Sequence, residues 1–172
     1  MAFGLFKKNE KKTTTTNQHY YELTIKEVIS ETKDSISLVF EQPASGKLNY
    51  KSGQFLTLIT TLNGKEVRRS YSLCSSPFTD ENLVVMVKRV ENGLMSNWLP
   101  ENAKPGSKIK VLEPMGNFTT EFSKDKKRHL IMFAGGSGIT PMMSIIKSSI
   151  HQEPDSICSL IYCNRDEDNI IF

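Results

Sequence analysis

Three short segments of the sequence combine residue types that could bind a phosphorylated ligand with a planar ring. The first is Arg68-Arg69-Ser70-Tyr71-Ser72, where Arg69 and Tyr71 would share one face of a strand because side chains alternate with a period of two. An arginine fork suits a pyrophosphate, a tyrosine ring can stack on a planar ring system, and an adjacent serine can hydrogen-bond a ring nitrogen. The alternative is a solvated arginine pair with Tyr71 half in the core.

The second segment follows a predicted strand and begins at Lys88. Gly93 precedes a short helical pattern over residues 94–99, and the unpaired N–H groups of a helix N-terminus favour an anion, with Ser96 available as a further donor. The alternative makes Ser96 a surface residue and Trp98 a core residue, and for Trp98 we favour the core.

The third segment is a glycine loop, formed by Gly135, Gly136 and Gly138 after a buried strand over residues 130–133. Such a loop lets the backbone turn sharply and approach a phosphate, which the N-terminus of the following helix would attract. A three-glycine pattern alone is equally consistent with a tight turn that permits close helix–sheet packing.

The helix after this loop should have Thr140 as its N-cap and Pro141 as its first residue. Apolar residues at helical spacing predict its buried face: Met142, Ile145, Ile146 and Ile150.

The first two segments would be positioned by strands, which alternating apolar and polar residues predict between Tyr21 and Leu112. Six strands are predicted, over residues 21–26, 36–41, 54–62, 66–73, 83–90 and 108–112. Asn63-Gly64 predicts a hairpin turn between the third and fourth of them. So many short strands with one brief helix predict a small antiparallel β-barrel.

The character of the sequence changes near Lys124. The apolar strand before the glycine loop, the helix after it and a second strand over residues 157–163 form one βαβ unit, the first part of an α/β parallel-sheet nucleotide-binding domain. Two parallel strands would leave their faces largely uncovered, so we expect the chain to be truncated within this domain. The predicted organisation is a flexible leader at 1–20, a barrel domain at 21–123 and the start of the second domain at 124–172.

Composition excludes several classes of protein. The 172 residues carry a net charge of +3, and the first twelve contain four lysines against Glu10, so no basic patch is expected on the folded part and nucleic acid is an unlikely partner. No apolar stretch is long enough to span a membrane. Three widely separated cysteines fit neither a disulfide framework nor a metal site, which predicts a cytoplasmic protein that binds no metal.

Three motifs in order, R-x-Y-S (69–72), V-K-R-V-x-x-G-L-M-S-N-W-L (87–99) and G-G-S-G-I-T-P (135–141), resemble the ferredoxin–NADP reductase superfamily. The sequence is most similar to the reductase components of bacterial ring-hydroxylating and phenylacetyl-CoA oxygenase systems. The resemblance covers residues 21–172.

The resemblance implies a flavin site in the barrel. Arg69 would neutralise the flavin pyrophosphate, Tyr71 would stack on the isoalloxazine, and Ser72 would lie near its N5, so Tyr71 and Ser72 are the predicted catalytic residues. Lys88 would lie near the phosphates, with the residue 93–95 amides and the Ser96 hydroxyl.

The resemblance also implies that the glycine loop receives the pyridine-nucleotide pyrophosphate while Thr140 reaches toward the flavin. The full set of predicted cofactor-binding residues is Arg69, Ser70, Tyr71, Ser72, Val87, Lys88, Gly93, Leu94, Met95, Ser96, Gly136, Ser137, Gly138, Thr140 and Arg165.

The implied function is transfer of a hydride from NAD(P)H to FAD, followed by single-electron transfer to a ferredoxin-type iron–sulfur protein or domain, or to an oxygenase component. The Gly93-x-x-Ser96 spacing resembles sites that hold FAD rather than FMN. Arg165, after the second strand, favours NADPH, whereas Asp166 and Asp168 favour NADH, and a solvated loop is a third interpretation. Alternatives for the whole chain are a non-catalytic flavin-binding module, an inactive fragment that docks a partner, and a protein-interaction domain.

Overall fold

The computed structural model describes residues 19–172, so most of the predicted leader (residues 1–20) lies outside the described residues. Six strands form one antiparallel sheet in the order β4-β3-β6-β1-β2-β5. Their bounds are β1 Tyr20–Thr32, β2 Ser35–Phe40, β3 Phe55–Leu62, β4 Lys65–Ser72, β5 Leu83–Lys88 and β6 Lys108–Leu112, with helix α1 at Leu94–Asn102 between the last two.

The sheet curls because β1 is long and irregular. Residues 20–24 of β1 pair with β6, whereas residues 25–32 pair with β2 and contain two register shifts, which bend a strand and increase its twist. The two edge strands then approach each other, and a single bridge joins Leu73 to Val85. Strands β4 and β5 share no ladder, so the predicted barrel is correct in its architecture but is not closed.

The turn between β3 and β4 confirms the predicted hairpin. Asn63 and Gly64 both have positive φ, 51° and 72°, as a two-residue turn that matches the twist of the strands requires. Leu62 pairs with Lys65 at the base of this turn, and the register continues to Phe55 opposite Ser72. The hairpin therefore sets which β4 side chains face outward.

Inward-facing residues of all six strands form one core. It is built from apolar side chains that alternate with exposed ones along each strand, and Trp98 of α1 packs partly buried against it. The fully buried large members are Leu23, Ile25, Leu38, Phe40, Leu56, Leu58, Leu73, Leu83, Met95 and Leu99.

The second part of the chain is the predicted βαβ unit. Strand β7 (His129–Gly135) and strand β8 (Ile157–Cys163) are parallel and in register from one end to the other, and helix α2 (Ile139–Gln152) connects them. A turn of 3₁₀-helix over Gly136–Gly138 leads directly into α2. No helix in residues 19–172 is long and apolar enough to cross a membrane.

The predicted start of α2 is wrong. The helix begins at Ile139 with Gly138 as its N-cap, so Thr140 and Pro141 are its second and third residues. The Thr140 hydroxyl donates a hydrogen bond to the Ser137 carbonyl, 2.8 Å away, instead of accepting one from the first turn. The N-cap residue Gly138 already has helical backbone angles, with φ −65° and ψ −12°.

The predicted buried face of α2 is also wrong in part. Ile145 is buried, but Ile150 is 67% exposed. Three serines, Ser144, Ser148 and Ser149, are buried in its place. The apolar periodicity therefore identified the helix but not the face that packs on the rest of the protein.

Candidate functional site

A cavity of about 320 Å³ lies where β4, the end of β5 and the start of α1 meet the glycine loop. It brings together residues from all three segments singled out in the sequence. The predicted residues that line it are Arg69, Ser70, Tyr71, Ser72, Lys88, Gly93, Leu94, Met95, Ser96, Ser137 and Thr140. We call this the β4–α1 cavity.

Tyr71 and Arg69 form one wall of the β4–α1 cavity. Tyr71 is half-buried, and burial raises the pKa of its phenol to about 12 although the positive charge of Arg69 acts in the opposite direction. The phenol therefore stays protonated at neutral pH, which leaves its ring as a surface for stacking and excludes it as a proton acceptor.

The two adjacent arginines of β4 have different surroundings. The Arg68 guanidinium pairs with Glu66 at 2.7 Å. Arg69 is exposed, donates to the Arg68 carbonyl at 2.7 Å, and has no carboxylate within ion-pair distance among residues 19–172. Of these two arginines, it is therefore Arg69 that offers its charge to an anion in the cavity.

The N-terminus of α1 forms the opposite wall. Gly93 is the N-cap, and no side chain caps the first N–H groups of the helix. A Cβ at Gly93 would lie 2.2 Å from Ser96 Oγ and 2.5 Å from Val90 Cγ2, so only glycine allows this close approach. Ser96 is buried and its hydroxyl accepts a hydrogen bond from the Val90 amide at 3.3 Å, which corrects the interpretation of Ser96 as a surface residue.

These donors together suit a ligand with a pyrophosphate and a planar ring. Arg69 and Lys88 supply positive charge, the α1 N-terminus supplies unpaired N–H groups, and Tyr71 supplies an apolar ring face. No cluster of His, Cys, Asp and Glu within the described residues could hold a metal ion.

A second groove of about 580 Å³ adjoins the first at the carboxyl ends of β7 and β8. Lys88, Val90 and Ser137 line both, so the cavity and the groove are in direct contact. The remaining lining residues are Asp34, Arg89, Glu91, Gly135, Gly136, Cys163, Asn164, Arg165 and Asn169. We call this the β7–β8 groove.

The predicted residues Gly136 and Arg165 lie in the β7–β8 groove. A Cβ at Gly136, whose φ is +48°, would stand 4.0 Å from the Lys88 ammonium, so this cation lies directly over the glycine loop. Asn164 Oδ1 is buried and has no hydrogen-bond donor in the described structure. Three cationic residues, Lys88, Arg89 and Arg165, thus line the groove together with the unsatisfied Asn164 acceptor, and Arg89 is paired with Glu101.

Two predicted residues lie elsewhere. The Val87 side chain is fully buried in the barrel core, and Gly138 lines neither the cavity nor the groove. Met86 and Val90 line the cavity but were not predicted. Alternation along β5 could have found Met86, because it places Met86 on the same side as Lys88 and opposite Val87.

Comparison with known proteins identifies both parts of the chain. The profile of the oxidoreductase FAD-binding domain matches residues 21–120, and that of the oxidoreductase NAD-binding domain matches residues 132–172. These matches identify FAD and a pyridine nucleotide as the cofactors of such domains.

Several relatives share about a third to a half of the sequence. The 3-ketosteroid-9-alpha-monooxygenase ferredoxin reductase component of Mycolicibacterium smegmatis is 46% identical over 160 residues, covering 90% of this chain and 44% of the relative. A component of the 1,2-phenylacetyl-CoA epoxidase of Escherichia coli is 36% identical over 155 residues, covering 89% of this chain and 43% of the relative. The chain therefore spans less than half the length of these curated relatives.

Solved structures agree in fold. The ferredoxin reductase in carbazole 1,9a-dioxygenase is 28% identical with a TM-score of 0.76, over 92% of this chain and 46% of that one. The FAD/NAD-binding domain of nitric oxide dioxygenase from Vibrio cholerae is 26% identical with a TM-score of 0.79, over 88% of this chain and 65% of that one. The chain belongs to the oxidoreductase FAD-binding domain family, within the ferredoxin–NADP reductase superfamily that its three motifs resemble.

Proposed function

We propose that this chain binds FAD in the β4–α1 cavity and NADPH in the β7–β8 groove, as part of a reductase that supplies electrons to an oxygenase system. The observation that carries the proposal is the direct contact of the two sites, which share Lys88, Val90 and Ser137. FAD, when bound, supplies a ring that accepts a hydride and releases electrons one at a time.

The residues of the cavity would bind and orient the flavin. Arg69 and Lys88 neutralise the pyrophosphate, which the free amides of α1 also attract. Tyr71 holds the ring system by stacking, and Ser72, the next residue of β4, donates or accepts a hydrogen bond at its edge. No residue has to move a proton in this proposal, in keeping with the protonated phenol of Tyr71.

NADPH rather than NADH is proposed because of Arg165. Its side chain lies in the groove directly after β8, the place where βαβ nucleotide sites distinguish a ribose hydroxyl from a phosphate. Asp166 and Asp168 are exposed and do not line the groove. The Asp166 carboxylate accepts a hydrogen bond from Asn169 Nδ2 at 2.6 Å.

The electron acceptor is proposed from the relatives, whose names describe a ferredoxin reductase component of a monooxygenase and a component of an epoxidase. We infer an iron–sulfur protein or domain, or an oxygenase component, as the partner. We also propose a cytoplasmic location, because all three cysteines are free thiols, as in a reducing compartment. The proposed division into 21–123 and 124–172 falls in the segment between β6 and β7.

Replacing Arg69 tests the flavin site. Arg69→Ala should raise the Kd for FAD tenfold or more, because one charged hydrogen bond contributes about 1.5 to 3 kcal/mol. Arg68→Ala is the matched control, since Arg68 is the adjacent residue of the same strand but is paired with Glu66. Titration of the apoprotein with FAD, followed by flavin fluorescence, measures both. Equal losses in the two variants would contradict the site.

Nucleotide selectivity tests Arg165. Arg165→Ala should weaken NADP⁺ binding about tenfold and leave NAD⁺ binding nearly unchanged, because only NADP⁺ carries the 2′-phosphate. Calorimetric titration of the FAD-loaded full-length protein with each nucleotide measures the two affinities. Equal losses would show that Arg165 does not read this phosphate. A flavin that NADPH fails to reduce would instead favour a non-catalytic flavin-binding module.

A further inference from the structure

Helix α2 packs on the barrel through hydroxyl groups. Ser148 Oγ lies 2.5 Å from Ser52 Oγ and 2.8 Å from Ser76 Oγ, and Ser144 Oγ donates to the Ser75 carbonyl at 2.5 Å. All five serines are buried, with at most 1% of their surface exposed. We call these five residues the serine cluster.

Gly53, next to the serine cluster, leaves room for the Phe118 backbone and for Ile145 of α2. A Cβ on Gly53, next to Ser52, would stand 2.0 Å from the Phe118 carbonyl oxygen and 3.3 Å from Ile145 Cδ1. Hydrogen bonds between hydroxyls have a defined length and direction, whereas apolar contacts allow sliding. The cluster therefore fixes both the distance and the register of α2 along the barrel surface.

The two sides of the cluster are each continuous with a segment that lines the β4–α1 cavity. Ser75 and Ser76 follow β4 by three and four residues, and the end of β4 carries Tyr71 and Ser72 in the β4–α1 cavity. Ser144 and Ser148 lie one and two turns beyond Thr140, which lines the same cavity from α2. A shift of α2 would therefore move the glycine loop relative to β4.

We propose that Ser148 and its partner Ser52 are positioning residues, which hold the pyridine nucleotide at hydride-transfer distance from the flavin. This inference rests on the proposed function. The reacting atoms must approach to about 3–3.5 Å, and a misplacement of 1 Å costs about a hundredfold in rate. The serines touch neither site, so their loss should lower the rate of transfer and leave both affinities intact.

The experiment compares Ser148→Ala with Ser149→Ala in the full-length protein. Ser149 is the adjacent, equally buried residue of α2, but its hydroxyl has no hydrogen-bond partner in the described structure, which makes it a matched control. Ser52→Ala removes the same hydrogen bond from the barrel side and serves where Ser148→Ala folds poorly. Stopped-flow flavin reduction at saturating NADPH gives the rate, and titrations give the Kd of FAD and NADP⁺.

Ser148→Ala and Ser52→Ala should each lower the limiting rate about tenfold, with both Kd values within twofold of the parent protein, while Ser149→Ala stays within twofold throughout. The NADP⁺-induced change in the flavin absorption spectrum should differ from the parent in the first two variants only. Rates equal to those of Ser149→Ala, or Kd values that rise in proportion to the rate loss, would overturn the inference. A parent protein whose flavin NADPH does not reduce would overturn the proposed function itself.

Discussion

The exposed thiol of Cys163 lies in the β7–β8 groove at the end of β8. Cys74, in contrast, is buried against the barrel, and burial raises the pKa of its thiol to about 12 although the positive charge of Lys147 opposes this. Only the thiolate is a strong nucleophile, so Cys74 should be inert near neutral pH. The two thiols therefore report on two different regions of the molecule.

Alkylation should consequently modify Cys163 first and Cys74 last. Saturating NADP⁺ should slow the reaction of Cys163 about fivefold or more, because a nucleotide in the groove would cover it. Cys158, half-buried at the other end of β8, provides an internal control whose rate should not change. Iodoacetamide labelling at pH 8, with each cysteine quantified by peptide mass spectrometry, measures all three. A Cys163 rate that is insensitive to NADP⁺ would place the nucleotide elsewhere.

The sequence predicted which segments meet at the cavity better than the direction of individual side chains. Arg69, Tyr71 and the residues around Gly93 were found because their types and spacing match the needs of a phosphorylated ligand, and all of them line one cavity. Val87 was misplaced because a motif gives residue positions in the chain and not the face on which each side chain lies. Met86 could have been found by applying the alternation of β5, which places it on the same side as Lys88.

At the scale of elements, the C-terminal end of α2 is attached to the segment that precedes β7. Glu153 is fully buried and accepts hydrogen bonds from Arg128 Nε at 2.9 Å and Nη2 at 3.0 Å, from the Ser156 hydroxyl and from the Ser123 amide. Burial alone would raise the pKa of its carboxyl, but these donors and the arginine charge outweigh burial and lower the pKa. The ionised form is therefore favoured in the folded state.

Glu153→Gln should lower the free energy of unfolding by about 3 kcal/mol at pH 7. This is the lower end of the range for a broken buried ion pair, because the Arg128 side chain keeps some contact with water. A carboxyl whose pKa is lowered by folding stabilises the protein above its unfolded-state pKa of about 4.3, and this contribution is lost as the pH falls through the lower folded-state value. As the pH falls below about 4.3, the free energy of unfolding should therefore decrease less in Glu153→Gln than in the parent protein.

Urea unfolding between pH 7 and pH 3 measures this difference. Glu121→Gln is the control, because the Glu121 carboxylate pairs with Lys51 on the surface, where both side chains are mostly exposed. Glu121→Gln should change the free energy of unfolding little at pH 7. Parallel pH profiles for the parent and Glu153→Gln would contradict the assignment.

The elements themselves were largely predictable, whereas their contacts were not. Strand β6 was predicted to the residue, and the Asn63-Gly64 turn has the predicted conformation. The buried serine face of α2 had no sequence signal, because serine is normally exposed and becomes favourable inside only when another element supplies a partner. That partner is the barrel segment around Ser75, separated from α2 by more than sixty residues of sequence.

On the scale of the whole molecule, the two sheets differ in how well they are covered. The six-stranded sheet curls around its own core, whereas the two-stranded sheet is covered on one face only, by α2, among residues 19–172. The other face exposes Ile131, Phe133, Ile157 and Ile161, with Phe133 67% accessible. The predicted parallel domain thus has an uncovered side, as expected for two strands without further layers.

This uncovered face should make the 172-residue chain associate with itself and bind dyes that report apolar surface, because contiguous apolar patches are rare on monomeric proteins. Phe133→Ser combined with Ile161→Thr should lower both dye fluorescence and the weight-average mass in sedimentation at about 50 μM. Phe118→Ser is the control, since Phe118 is similarly exposed at 56% but lies outside the two-stranded sheet. If the double variant and the control reduce association equally, the association surface does not lie on this sheet.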